Sequence, residues 1–182
     1  MSGSECAVVH FPLSGGGCDY LMEQMPPIET LGWHHIVAPF MARTSGYILR
    51  VVAAHDFTNV TVILSDTSHI KPNILMRGEY YQDDLNDVIM IIADKPVLVA
   101  QLSKSHETDN IGDGFMVVIP STESYSNNIS FAVASLSLDP EESYISVVTA
   151  CENNATLSLD DNPLNYMDGI QSWFTLCHSS GP

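Results

Sequence analysis

Tyr47-Ile48-Leu49-Arg50-Val51-Val52-Ala53-Ala54 is the stretch that decides the fold class. It is rich in β-branched and aromatic side chains and is followed by Asp56 and Asn59, which reads as a strand. Alternation along a strand sets Arg50 on the face of Ile48 and Val52, opposite Leu49 and Val51. A charge turned into a core is costly unless a carboxylate answers it. Arg50 is therefore either paired within a buried face, as structural glue, or an edge charge that deters aggregation. The first is the expectation.

Similar runs about six residues long recur between Gly, Asn, Asp, Ser and Pro clusters. They predict strands at 35–40, 47–54, 60–65, 74–80, 88–92, 97–102, 115–119, 129–135, 144–151, 155–159 and 172–177. One helix is predicted, over 19–25, with Asp19 as its cap and Pro26-Pro27 as its stop. Asp94-Lys95-Pro96 supplies a turn residue, a charge and a fixed φ, so 88–102 reads as a hairpin. The deciding stretch also has an echo. Tyr144 to Cys151 repeats its pattern 97 residues after Tyr47, and Asn154 follows Asn59 by 95. The reading is an all-β chain of antiparallel meander units repeated at about 95–97 residues, stacked as β-sandwich units, with propeller-like blades as the alternative. Sub-units of about 1–102 and 113–182 are expected, joined by the polar segment 103–112, within one partial domain covering 1–182.

The 182 residues suffice to bury a real core, and 45% hydrophobic content excludes a disordered chain. Six basic residues stand against 22 acidic ones, a net charge of −16. Phosphate backbones and anionic membranes are bound through Lys and Arg, so neither nucleic acid nor a membrane surface is an expected partner. No apolar run reaches the roughly 20 residues of a spanning helix, so no membrane insertion is expected. No secretory signal is visible at Met1 to Cys6, and the abrupt ends suggest a fragment of a longer protein.

Cys6, Cys18, Cys151 and Cys177 are even in number and lack Cys-x-x-Cys spacing, which favours disulfides over zinc or a redox dithiol. Three pairings exist. Chain proximity favours Cys6 with Cys18 and Cys151 with Cys177, and four buried free thiols remain the alternative. Sequons at Asn59-Val60-Thr61, Asn128-Ile129-Ser130 and Asn154-Ala155-Thr156 point the same way, toward an extracellular glycoprotein.

Catalytic and metal signatures are weak. Ile63-Leu64-Ser65-Asp66-Thr67-Ser68 has the outline of an aspartic-protease core, but the chemistry needs two carboxylates sharing a proton, and Asp160-Asp161 lacks the following Thr and small residue. The seven histidines show no ligand spacing, and His34 and His35 must face opposite ways on a strand. Asp83-Asp84-Asp87 and Asp160-Asp161-Asp168 do not fit a calcium loop. Gly15-Gly16-Gly17 lacks the Lys-Ser/Thr of a phosphate loop, and no Gly-x-Ser-x-Gly occurs. No catalytic residue, cofactor or metal is assigned.

Several blocks in fixed order carry a resemblance. Gly17-Cys18-Asp19-Tyr20-Leu21-Met22-Glu23-Gln24-Met25-Pro26-Pro27, continuing to Gly32, is followed by Arg43-Thr44-Ser45-Gly46-Tyr47, Arg50-Val51-Val52-Ala53-Ala54, Asp94-Lys95-Pro96-Val97-Leu98-Val99-Ala100-Gln101, and Gly112-Asp113 with Met116 to Pro120. This order resembles the N-terminal domain of the IgG Fc-binding protein family, over about 6–174. Leu31, Gly114 and Ser121 depart from the usual Trp, Pro and Pro. The resemblance implies a secreted, disulfide-bonded, mucus- or surface-associated binding module. It gives Asp19, Glu23, Gln24, Pro26, Pro27, Gly32, Arg50, Pro96 and Gln101 structural roles. Other secreted or surface glycoproteins are the implied partners, and IgG Fc itself is not assumed. The alternatives are an aspartic-type or metal-dependent hydrolase and a structural spacer between adhesive modules. The 19–32 segment is expected to pack as a plug across strands, since it holds too many apolar residues to leave wet.

Overall fold

The computed structural model describes residues 2–5, 19–41, 43–64, 70–104, 106–110, 114–131, 145–149 and 157–163. In chain order the strands are β1 (Ser2–Glu5), β2 (Asp19–Met22), β3 (Gly32–Val37), β4 (Tyr47–Ala53), β5 (Thr58–Leu64), β6 (Ile70–Leu75), β7 (Tyr80–Leu85), β8 (Ile89–Ser103), β9 (Met116–Ile119), β10 (Ser158–Leu159) and β11 (Asn162–Pro163). One helical turn, α1 (His106–Asp109), and two 3₁₀ turns, Ile28–Thr30 and Thr122–Ser124, complete the described elements. Every strand pairing is antiparallel, as the alternating runs require. The class is all-β.

The chain divides into two compact units, Met1–Ile145 and Ser146–Pro182. The division does not fall at 103–112. That segment carries α1 and returns the chain to β9, which pairs with β8 itself. In the second unit β10 and β11 form a small hairpin whose turn residues, Asp160 and Asp161, are exposed at φ 49° and 63°.

β8 organises the first unit because its 15 residues take partners end to end on each edge. Along one edge β5 runs from Leu64 opposite Ile89 to Val60 opposite Ala93, and β4 continues from Ala53 opposite Val97 to Tyr47 opposite Ser103. Along the other, β3 sets Val37 opposite Ile89 and Gly32 opposite Val97, and β9 sets Met116 opposite Leu102. β6 and β7 extend the first edge outward, on β5 and β4. The result is one curled, seven-stranded sheet. Its inner face is the core, where Tyr47, Leu49, Val51, Val62, Ile91 and Val99 are wholly buried. On the opposite face Ile48, Ala100 and Leu102 are covered by Leu21 and Met116.

Several sequence expectations are corrected. Residues 19–22 form a strand and not a helix: a single short helix would carry an unfavourable nucleus, whereas pairing with β1 gives the backbone a full antiparallel ladder. Leu21 packs on Ile48, Ala100 and Leu102 as the expected plug would, but the rest of 19–32 is no plug: residues 27–30 are exposed, Ile28 at 43%. Asp94-Lys95-Pro96 is no hairpin turn either, because it lies within β8. There the ladder changes partner from β5 to β4, so the N–H that Pro96 lacks is not missed. The flanking side chains hold the junction: Asp94 accepts from the backbone N–H of Asn59 at 2.8 Å, and Lys95 Nζ donates to the carbonyls of Asp56 and Phe57 at 2.6 and 3.0 Å. The run 74–80 is broken by a turn at 76–79, where Gly78 takes φ +83°, a left-handed conformation natural to glycine. Among the described residues, 129–131 and 145–149 are not in strands. The remainder of 129–135 and 144–151, and all of 172–177, lie outside the described residues.

Arg50 is resolved by topology. β4 is flanked by β7 and β8, so an edge charge is ruled out. The guanidinium lies on the half-open outer face, donating from Nε and Nη2 to Gln82 Oε1 at 3.1 and 2.6 Å and resting 5.1 Å from the Tyr80 ring centroid. Arg50→Ala is expected to lower unfolding free energy by about 1 kcal/mol in urea titrations, with Arg50→Lys failing to restore it because only the planar fork makes both bonds.

A polar network ties the 103–110 segment to the sheet. Arg43 pairs with Asp109 at 2.8 Å and also donates to the Lys104 carbonyl. Ser45 Oγ donates to Asp109 at 2.9 Å, while Lys104 Nζ reaches the Ser45 carbonyl at 2.6 Å and Asp84 at 2.7 Å.

Candidate functional site

The resemblance-implied segment 23–32 leads into a cleft of about 250 Å3. Pro26, Leu31, Gly32 and His35 line one side, and Val99, Ile119, Ser121 and Ser124 the other. Two 3₁₀ turns shape it. Pro27 begins the first, its carbonyl accepting from the Thr30 N–H at 3.0 Å and the Thr30 hydroxyl at 2.8 Å. Ser121 begins the second, accepting from the Ser124 N–H at 3.0 Å and hydroxyl at 2.7 Å. Gly32 is required where the walls meet, since a Cβ there would run into the Ser121 side chain and the Glu123 carboxylate.

His35 sits in this wall at 2% exposure, and among the described residues neither ring nitrogen has a hydrogen-bond partner. Burial pushes its pKa below the ordinary 6.5, against the opposing pull of nearby backbone groups of Gly32 and Ile119 and the charge of Glu123. It is therefore a neutral imidazole with both nitrogens unspent, facing a cleft of mixed lining. Its neighbour His34 points outward, as strand alternation demands, and sets Nδ1 2.5 Å from Glu123 Oε1. Burial raises the Glu123 carboxyl, but the His34 bond, backbone bonds and Ser121 outweigh it and hold the group below its ordinary value. Ile28, Trp33 and Tyr125 stay partly exposed beside the lining residues. The Ser124 hydroxyl is spent on a carbonyl, and the cleft offers hydrogen-bonding groups and apolar contact.

The buried neutral histidine makes stability pH-dependent. Protonation is easier in the unfolded chain, so the His35 contribution is complete above pH 6.5 and declines as pH falls below it. Urea midpoints at about pH 7.5 and pH 5 should differ more for the parent chain than for His35→Leu. Equal differences would show that His35 does not titrate in this way.

The model of the family described as IgGFc binding protein matches residues 1–180. The chain belongs to this family. Comparison with curated proteins and with solved structures finds no match.

Within this IgGFc-binding domain the motif residues divide into two groups. Pro26, Pro27 and Gly32 build the cleft. Pro96 and Gln101 build the sheet, Pro96 at the β8 junction and Gln101 by donating from Nε2 to the Ala38 carbonyl at 2.8 Å while 3% exposed. Arg50 belongs with the second group. Glu23 and Gln24 are exposed and bond only locally among the described contacts, Glu23 Oε1 accepting from the Gln24 N–H at 3.2 Å. Asp19 lies in β2. Asn59 and Asn128 are exposed. Cys6, Cys18, Cys151, Cys177, Asn154 and Asp66 lie outside the described residues. Among the described residues no three His, Cys, Asp or Glu side chains converge as a metal site, and no helix is long and apolar enough to cross a membrane. Sequence reasoning missed His35 as a cleft residue and Glu123 as the partner of His34. The inward register of His35 was legible, but its lack of a partner depends on the 120–124 turn, 85 or more residues away.

Proposed function

We propose that the chain is a non-catalytic binding and adhesion module working outside the cell, secreted or within the ectodomain of a surface protein, in a mucus or matrix setting. Its partners are other secreted or surface glycoproteins, met through the rim of the His35 cleft. The observation that carries this reading is the family match over 1–180. The four cysteines, the exposed sequon asparagines and the acidic balance support the setting. Trp and Tyr beside a concavity support the contact role, since such residues dominate binding energy at interfaces. Peptide-mass mapping of the purified protein with and without reductant and glycosidase tests the setting: disulfides and glycan are expected, and four reduced cysteines without glycan would overturn it. Surface plasmon resonance on purified mucin tests the contact face. Trp33→Ala should weaken binding about tenfold or more. Turnover of a peptide or ester substrate would overturn the non-catalytic reading.

A further inference from the structure

The three most exposed large apolar side chains among the described residues are Ile129 at 73%, Ile74 at 69% and Phe57 at 65%. All three stand in or beside a sequon. Ile129 is the middle residue of Asn128-Ile129-Ser130, while Phe57 precedes Asn59 by two residues and Ile74 lies directly opposite Asn59 in the β5–β6 ladder. Directly opposed residues on one face have Cβ atoms about 5 Å apart, within reach of a group linked to the asparagine. Phe57 also holds φ +53°, a conformation that bulky residues rarely adopt, at the end of the turn joining β4 to β5. The Asn59 side chain is aimed by Asp94, whose Oδ2 accepts from Nδ2 at 2.5 Å. Nδ2 carries two hydrogens, so one bond to Asp94 can persist when the other hydrogen is replaced.

We propose that Asn59 carries an N-linked glycan whose first sugar lies over Phe57 and Ile74. This rests on the extracellular reading above. In the transfer, Nδ2 attacks the anomeric carbon of a lipid-linked oligosaccharide. The Nδ2–C1 bond forms, the C1–O bond to phosphate breaks, lipid pyrophosphate leaves with the electron pair, and an Nδ2 proton passes to base. The sugar's apolar face then covers two side chains that would otherwise remain wet, and Asp94 fixes the direction from which it does so.

The test is the full chain secreted from animal cells behind a supplied signal, with Asn59 occupancy read by peptide mass spectrometry. Occupancy is expected in the parent and in Thr61→Ser, and none in Asn59→Gln. The glycosylated parent, also after trimming to the first sugar, should melt about 2–4 °C above Asn59→Gln, and that gap should vanish in a Phe57→Ala/Ile74→Ser background. An unmodified Asn59 overturns the proposal, and with oxidised cysteines it leaves the extracellular reading standing. Four reduced cysteines without glycan at any site overturn that reading as well. A melting gap unchanged in the double-variant background overturns the packing of sugar on Phe57 and Ile74.

Discussion

Asp109→Ala should lower the unfolding free energy by about 3–5 kcal/mol, the cost of leaving a buried charge without its partner. The Asp109 side chain is completely buried and the Arg43 side chain is 5% exposed, so their ion pair at 2.8 Å has little water to replace it. The carboxylate also accepts from Ser45 at 2.9 Å, and its removal leaves that hydroxyl to find another partner. Against a total stability of roughly 5–15 kcal/mol, this is a large fraction, visible as a fall in melting temperature of about 10 °C. A double variant, Arg43→Leu with Asp109→Leu, should recover much of the loss, because replacing both members of a buried pair by apolar groups is often close to neutral. Lys104 gives the contrast: its bond to Asp84, which is 37% exposed, is a surface pair worth at most about 1 kcal/mol. A loss below about 1 kcal/mol for Asp109→Ala in urea unfolding would mean that the network is not holding α1 to the sheet.

The contrast between these two pairs shows where sequence reading stops. The strands at 47–53, 58–64 and 116–119 were legible because alternating β-branched residues have no other stable use in runs of that length. Asp109 was not. It sits in a polar stretch whose composition signals a solvated connector, and its burial depends on Arg43 arriving from 66 positions earlier. Asp94-Lys95-Pro96 misled for a related reason: each residue favours a turn locally, yet Asn59 and the Asp56 and Phe57 carbonyls, contributed by the β4–β5 turn and the start of β5, use the same side chains to hold a strand straight through a change of partner. The cleft was half legible. Pro26, Pro27 and Gly32 mark backbone constraints that can be read locally, whereas the unspent nitrogens of His35 follow from which strand ends above them.

Leu49→Ala should cost about 3–5 kcal/mol, the upper part of the range for deleting a buried leucine, and should exceed the loss from Arg50→Ala severalfold although the two residues are adjacent. Leu49 is wholly buried on the inner face, with Val51 and Val99 beside it in the same core, and β4 is held from both edges, by Gln101 of β8 and Asp83 of β7 opposite Leu49. A strand locked on both sides cannot move to close the space left by the missing methyls, so the cavity persists and adds to the lost transfer free energy. Ile48 supplies the internal control. It faces the other way, under Leu21 and Met116, where the cover among the described residues is one side chain from β2 and one from β9. That thinner cover can settle into a vacancy, and Ile48→Ala should fall toward the lower end of the same range, about 2 kcal/mol. Urea unfolding of the three alanine variants orders them Leu49, Ile48, Arg50. An Ile48 loss equal to that of Leu49 would show that both faces of the sheet are packed with the same rigidity, and would make the β1–β2 pair part of a second core and not a cover.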